Sequence, residues 1–319
     1  MAKITQALLC GIDVSLQSLD IAQSDGFAKR IPNTIEAIDA WLSTLPEGTH
    51  IALEATSIYH EAVLERALEC EHRVYVINGK QLHHYREAVN QRAKTDASDA
   101  ALLLRYLTHE RSHLEPVTPL NAQQKRLWRL LKRRAALVRL RTQAHLSLGS
   151  LAETHAMEKQ FIGSINAMIK ELEKQLLVLA RELGWEEQLQ QCQSIPGIGR
   201  LNALGLVACF HRGSFCRSDK FVAFLGLDVR VRDSGKCVGK RKLTKRGDSE
   251  MRRLLYNAAM SFARDPQYKP LYTRLLESGR SSTAAYVILA RKLVRIAYCL
   301  LQRGEYFDRE RFKSTCGAT

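Results

Sequence analysis

Apolar residues recur with two different periods along this chain, and the change of period divides it. Residues 6–13 form a short apolar run that stops on Asp13, the pattern of a buried strand with a carboxylate at its tip. Residues 19–22 and 28–31 read as two further short strands around a turn at Asp25-Gly26, so the chain opens as a three-strand meander. Residues 35–45 switch to helical spacing, with Ile35, Ile38, Trp41, Leu42 and Leu45 on one side. A strand at 50–54 again ends on an acid, Glu54. A helix at 59–70, a strand at 73–77 and a helix at 79–89 follow. This order predicts a mixed α/β sheet with helices on both faces. Ligand sites in such sheets gather beyond the strand ends, where Asp13 and Glu54 stand.

The next helix begins in Lys94-Thr95-Asp96-Ala97-Ser98-Asp99-Ala100 and runs on through Leu102, Leu103, Leu104 and Leu107. Three residues are nearly one helical turn, so Asp96 and Asp99 share a face. Two carboxylates that close repel unless a proton or a cation lies between them, and a hard divalent cation prefers such oxygens. The competing reading is a helix cap, with Thr95 or Asp96 accepting backbone N–H bonds and Asp99 favoured by the helix dipole.

Between Pro119 and Pro196 the chain has no proline and reads as long helix. Its first part is strongly basic, with Arg126, Arg129, Arg133 and Arg134 among eight cations and no acid between Pro116 and Ala152. Met157, Phe161, Ile165, Met168, Leu172, Leu176, Leu179 and Leu183 then recur at steps averaging close to an eleven-residue repeat. That stripe suits either an intramolecular helical hairpin or a coiled-coil dimerisation stalk with a basic face.

Ser194-Ile195-Pro196-Gly197-Ile198-Gly199 opens the last part and matches a helix-hairpin-helix turn. Gly197 and Gly199 would let backbone N–H groups face a DNA phosphate there, although a tight interhelical turn wants the same glycines. Residues 221–227 are apolar and expected in the core. Ten basic residues against three acids then fill the stretch from Arg230 to Arg253, broken by Gly235, Gly239 and Gly247. Ser234 lies in this cationic, glycine-broken stretch, where neighbouring cations would steer it onto a phosphate and stabilise its alkoxide. Arg232, Lys236, Lys240, Arg241, Lys242, Lys245 and Arg246, with Arg126, Arg129, Arg133 and Arg134 of the basic helix and the Gly197 and Gly199 turn, are the expected nucleic-acid contacts. Asp248 reads as the cap of a helix at 249–263, a core helix follows at 283–302, and Ser278-Gly279 reads as a glycine-capped helix end.

The formal net charge is +15 over 319 residues, which points to an anionic partner, nucleic acid first. No apolar run approaches the roughly 20 residues of a membrane span, and the short run at 7–12 is no signal peptide, so no membrane partner and a cytoplasmic location are expected. The eight cysteines show no Cys-x-x-Cys spacing and read as free thiols rather than a zinc site.

Taken together, Gly11-Ile12-Asp13, Leu53-Glu54-Ala55-Thr56, the 94–100 run, the 194–199 turn, Asp233-Ser234-Gly235 and Thr244-Lys245-Arg246-Gly247-Asp248 resemble the insertion-sequence transposases with a DEDD active site. These are relatives of the Piv-type DNA invertases and of bridge-RNA-guided recombinases. The likeness covers about residues 7–308 in order and spacing. It implies a ribonuclease-H-like domain of the RuvC type at 1–115, with Asp13, Glu54, Asp96 and Asp99 as catalytic carboxylates that bind Mg2+, Mn2+ being able to substitute. It implies a basic helical, coiled-coil linker and dimerisation segment at 116–190. A mostly α-helical transposase domain at 191–310, with Ser234 as nucleophile, and a tail at 311–319 complete the organisation. The resemblance further implies donor and target DNA, a structured guide RNA, and a homo-dimer or tetramer whose active site is shared between protomers. A resolvase-type nuclease using the four acids alone, and a non-catalytic architectural protein, are the alternative readings.

Overall fold

The structure is a computed structural model that describes residues 7–55, 59–91, 95–230, 233–234, 237–238 and 241–312. It comprises two compact units, 1–119 and 120–319.

The first unit holds β1 (Leu9–Val14), β2 (Ser18–Gln23), β3 (Ala28–Pro32), α1 (Ile35–Leu42), β4 (His50–Glu54), α2 (Glu61–Glu69), β5 (Arg73–Ile77), α3 (Gly79–Ala88) and α4 (Asp96–Glu110). One five-stranded sheet runs β3-β2-β1-β4-β5. The meander β1-β2-β3 is antiparallel, whereas β4 and β5 join parallel to β1. This mixed sheet fits the ribonuclease-H-like domain that the resemblance implies.

Alternation along β1 sorts the two faces. Cys10, Ile12 and Val14 pack with Ile38, Trp41, Val63 and Ala67 of α1 and α2. Leu9 points the other way, into a cluster with Leu102, Leu103 and Leu107 of α4 and Leu82 of α3. Gly11 and Asp13 share the α4 side with Leu9.

The second unit holds α5 (Ala122–Leu148), α6 (His155–Glu182), α7 (Glu186–Gln193), α8 (Arg200–Phe210) and α9 (Ser218–Phe224). The short strands β6 (Val229–Arg230), β7 (Asp233–Ser234), β8 (Cys237–Val238) and β9 (Lys242–Leu243) precede α10 (Ser249–Arg264), α11 (Lys269–Glu277) and α12 (Ser282–Arg303). The segment expected as a separate linker is built into this unit. Leu127 and Leu131 of α5 and Leu176, Leu179 and Ala180 of α6 belong to the same core as Leu204, Val207, Phe262 and Leu293.

Helices α5 and α6 form an antiparallel hairpin. Its register is fixed by Arg134 Nε to Glu173 at 2.7 Å, Arg141 Nη1 to Asn166 at 2.9 Å and His145 Nδ1 to Glu158 at 2.6 Å. The hairpin uses part of the long apolar stripe. Ile165, Leu176 and Leu179 are buried, while Met157, Phe161 and Met168 remain exposed. No helix among the described residues is long and apolar enough to cross a membrane.

Candidate active site

The carboxylates Asp13 and Glu54 stand at the C-terminal ends of neighbouring parallel strands. The last pair between these two strands is Ile12 with Leu53, so the two acids follow side by side, each still held on its other flank, Asp13 opposite Asp20 and Glu54 opposite Ile77. Glu54 lies against Gly79, the first residue of α3, where a side chain would overlap its carboxylate.

Helix α4 brings the other two acids. Thr95 is its N-cap, and Thr95 and Ser98 form a reciprocal capping box, with Ser98 N–H donating to Thr95 Oγ1 at 3.2 Å and Thr95 N–H to Ser98 Oγ at 2.8 Å. Capping therefore falls to the threonine–serine pair and leaves both aspartates free of that task. Gly11 decides how close α4 comes to the sheet. A Cβ at this position would overlap the backbone Ala100 O and Leu104 N, so only glycine lets α4 lie directly on β1.

The electrostatics gather at Asp13. Burial pushes its carboxyl up to about 6, and the charges of Asp99, Asp96, Glu54 and Asp20 add to the effect. Asp99 is buried, 8 % exposed, and accepts from Arg86 Nη2 at 2.6 Å. Asp96 is more exposed and accepts from Arg30 Nη2 at 2.7 Å. Arg30 also engages both oxygens of Asp20 through Nε, at 3.0 Å each. Asp13 is thus within electrostatic reach of Asp99, Asp96, Glu54 and Asp20. Among the described residues, however, no three His, Cys, Asp or Glu side chains close into a ready metal cage. The two helix aspartates are drawn instead to their arginines.

Sequence patterns alone did not single out Arg30 or Arg86. Arg30 was legible in principle, because the Asp25-Gly26 turn fixes a register that places it opposite Asp20. Arg86 carried no such signal.

In the second unit, Ser234 lies on β7, paired with Cys237 on β8. This ribbon is nested inside the pairing of β6 with β9. Its base is pinned: Thr244 N–H donates to Asp228 O at 3.0 Å, and Thr244 Oγ1 donates to the Asp228 carboxylate. Gly226, at φ +69°, abuts Gly247 backbone to backbone, and Arg252 Nη1 donates to Gly247 O. Asp248 caps α10 through Met251 N–H at 2.9 Å and pairs with Lys132.

The expected nucleic-acid contacts divide. Arg126, Arg129 and Arg133 are exposed at helical spacing on α5, and Arg241, Lys242, Lys245 and Arg246 are exposed beside the ribbon. Arg134 is turned inward, where it meets Glu173 and, at 3.4 Å, the buried Glu250; its charge is spent on the fold. Gly197 also has a packing role. At φ +84° its missing side chain would lie 2.6 Å from Ala258 O of α10, and the following Ile198 N–H is used inside the turn, on Ile195 O at 3.0 Å. Gly199, the N-cap of α8, does open onto free space. Arg232, Lys236 and Lys240 lie outside the described residues. Ser278 caps the end of α11, as expected, with its hydroxyl donating to Leu275 O at 2.8 Å.

Comparison with known proteins matches the chain in two segments, the first of which runs past the first unit and through α5. Residues 10–155 match the IS110-type DEDD transposases, and residues 189–273 match the transposase IS116/IS110/IS902 family. The pilin gene-inverting protein of Moraxella lacunata is 28 % identical over 318 residues, covering 94 % of this chain and 97 % of that one. Its counterpart from Moraxella bovis is 29 % identical, with 82 % of each chain covered. The transposase for insertion sequence element IS1111A of Coxiella burnetii is 34 % identical over 44 % of this chain and 39 % of its own. Among solved structures, T. thermophilus RuvC in complex with Holliday junction substrate aligns with a TM-score of 0.28 and 14 % identity, over 35 % of this chain and 99 % of that chain. With both halves matched in order, the chain belongs to the IS110-type DEDD transposases, a family of DNA-recombining enzymes.

Proposed function

We propose that this transposase cuts and rejoins DNA through a serine–phosphate intermediate, with Asp13, Glu54, Asp96 and Asp99 holding Mg2+ and Ser234 acting as nucleophile. The observation that carries this reading is the convergence of acids from β4 and α4 on Asp13 of β1. The donor set fits the ion, since four hard carboxylate oxygens donors suit a hard divalent cation and Mn2+ would serve in its place. Once bound, the cation supplies charge neutralisation at the phosphate under attack.

Ser234 Oγ forms a new bond to phosphorus, the bond from phosphorus to one deoxyribose oxygen breaks, and that oxygen leaves as a hydroxyl. The proton lost by the serine matches the one gained by the leaving oxygen, so the exchange is neutral in protons. Reversal by a different DNA hydroxyl joins the strands without an external energy source. Exposed cations on α5 and beside the ribbon hold the DNA backbone and a structured guide RNA. Met157, Phe161 and Met168, exposed like Leu146 and Leu151 of the same hairpin region, suit a second copy of the hairpin, in a dimer or tetramer that brings serine and carboxylates of different protomers together.

Incubation with element-end DNA, followed by denaturation, tests the reading. The wild type is expected to carry a covalent DNA adduct that Ser234→Ala and Asp99→Asn lack; adduct formation by Ser234→Ala overturns the serine assignment. Purified protein is expected to retain one discrete RNA species, and recovery of random cellular RNA counts against the guide.

The base of the ribbon yields a further expectation. Thr244→Val removes the hydroxyl bond to Asp228 at a cost of about 1 kcal/mol in stability. It is expected to slow strand exchange roughly a hundredfold, because a nucleophile displaced by about 1 Å loses that much. Thr244→Ser keeps the bond and is expected to stay near the wild-type rate in the same assay.

A further inference from the structure

We infer that Arg86 and Arg30 compete with the divalent cation for the two aspartates of α4, so that uptake of the cation is tied to the anionic substrate drawing these guanidinium groups away. The inference rests on the metal assignment above and adds a control to it.

The two helix acids share a feature. Asp99 is held by Arg86 of α3 at 2.6 Å and Asp96 by Arg30 of β3 at 2.7 Å, each arginine arriving from outside α4. A guanidinium keeps its proton at every working pH, so it cannot step aside by neutralising itself. A cation that draws on all four carboxylates must share these oxygens with the arginines, against their repulsion, or displace them. Both arginines are suited to displacement by phosphate. The planar fork matches phosphate oxygens as well as it matches carboxylate. Arg30 has a side chain 58 % exposed, within reach of a substrate. The Arg86 side chain is only 15 % exposed, yet its buried Nε has no hydrogen-bond partner, so it carries a donor that the fold leaves unused. The arrangement thus resists the cation until a phosphate chain arrives.

Full-length protein titrated with Mn2+ alone, with free Mn2+ followed by electron paramagnetic resonance, tests this without reading activity. Arg86→Gln is expected to bind Mn2+ about tenfold more tightly than the wild type, the effect of losing one like charge at contact distance. Arg86→Lys keeps the charge and is expected to stay close to the wild type. A short DNA duplex is expected to tighten Mn2+ binding by a larger factor in the wild type than in Arg86→Gln. Should Arg86→Gln fail to fold, Arg30→Gln is expected to change affinity in the same direction. Weakening of ten- to a hundredfold in the variants would mean that the arginines simply orient the acids, and would overturn the inference. Unchanged affinity overturns it too, while leaving the metal assignment standing. If wild type and variants alike bind no Mn2+ with or without DNA, the metal assignment falls and takes the inference with it.

Discussion

Asp13→Asn is expected to abolish DNA cleavage and, in chelator, to raise the melting temperature. The two effects have one cause. Asp13 sits in the field of four other carboxylates, and burial withholds the water that would screen them. Its folded carboxyl titrates at about 6, against 3.8 for the ordinary group. A raised carboxyl is a destabilising one. Below about pH 3.8 both states are protonated and no penalty exists. Between 3.8 and 6 the folded chain holds more proton than the unfolded chain, so stability falls as pH rises. Above 6 the penalty is complete, about 1–2 kcal/mol once solvent screening of this partly accessible group is allowed for.

Asparagine removes that penalty. In chelator the variant is expected to melt several degrees above the wild type at pH 7.5 and to lose most of this advantage at pH 4.5, as followed by circular dichroism. Cleavage is expected to fall by about a thousandfold or more, the scale seen when a group acting on transition-state charge is removed. Equal melting temperatures at pH 7.5 would show that the acids around Asp13 do not strain the fold. Cleavage within tenfold of the wild type would remove Asp13 from the site.

The sequence made parts of this site easy to read and concealed others for physical reasons. Asp13 and Glu54 were legible because an acid at the end of a buried apolar run falls near the C-terminal end of its strand, although β1 runs one residue past Asp13. Asp96 and Asp99 were legible as a pair, but their freedom from capping was not, since it depends on Ser98 reaching back to Thr95. Arg134 was misread with its neighbours. Successive helical residues point about 100° apart, so Arg133 faces solvent while Arg134 meets Glu173 and Glu250, partners far away in sequence. The stripe from Met157 to Leu183 fixed a helix but not its partner. The core and the seam with α5 take Ile165, Leu176 and Leu179 and leave Met157, Phe161 and Met168 outside. Periodicity shows that a face is apolar, and what covers it is decided by chain reversal near Gly149. The nearest the sequence came to Gly11 was its place beside Asp13; its role follows only from the backbone of α4 above it.

That role makes Gly11→Ala the substitution expected to damage the first unit most. A methyl group there has no rotamer in which to turn away, and the atoms it meets, Ala100 O and Leu104 N, belong to a helix backbone. Overpacking against side chains costs about 1–3 kcal/mol, and backbone yields less readily, so a loss of about 3 kcal/mol or more is expected. For a unit of this size that corresponds to a melting temperature lower by about 10 °C or more. The only relief is for α4 to rise off β1, which carries Asp96 and Asp99 away from Asp13. Cleavage is therefore expected to drop about a hundredfold even at temperatures where the variant stays folded. Gly163→Ala supplies the contrast. Gly163 lies within α6 with open space where a side chain would stand, and alanine there is expected to stabilise by about 0.5–1 kcal/mol. If Gly11→Ala melts and cleaves like the wild type, α4 does not rest on β1, and the convergence of the four acids that underlies the proposed chemistry is lost with it.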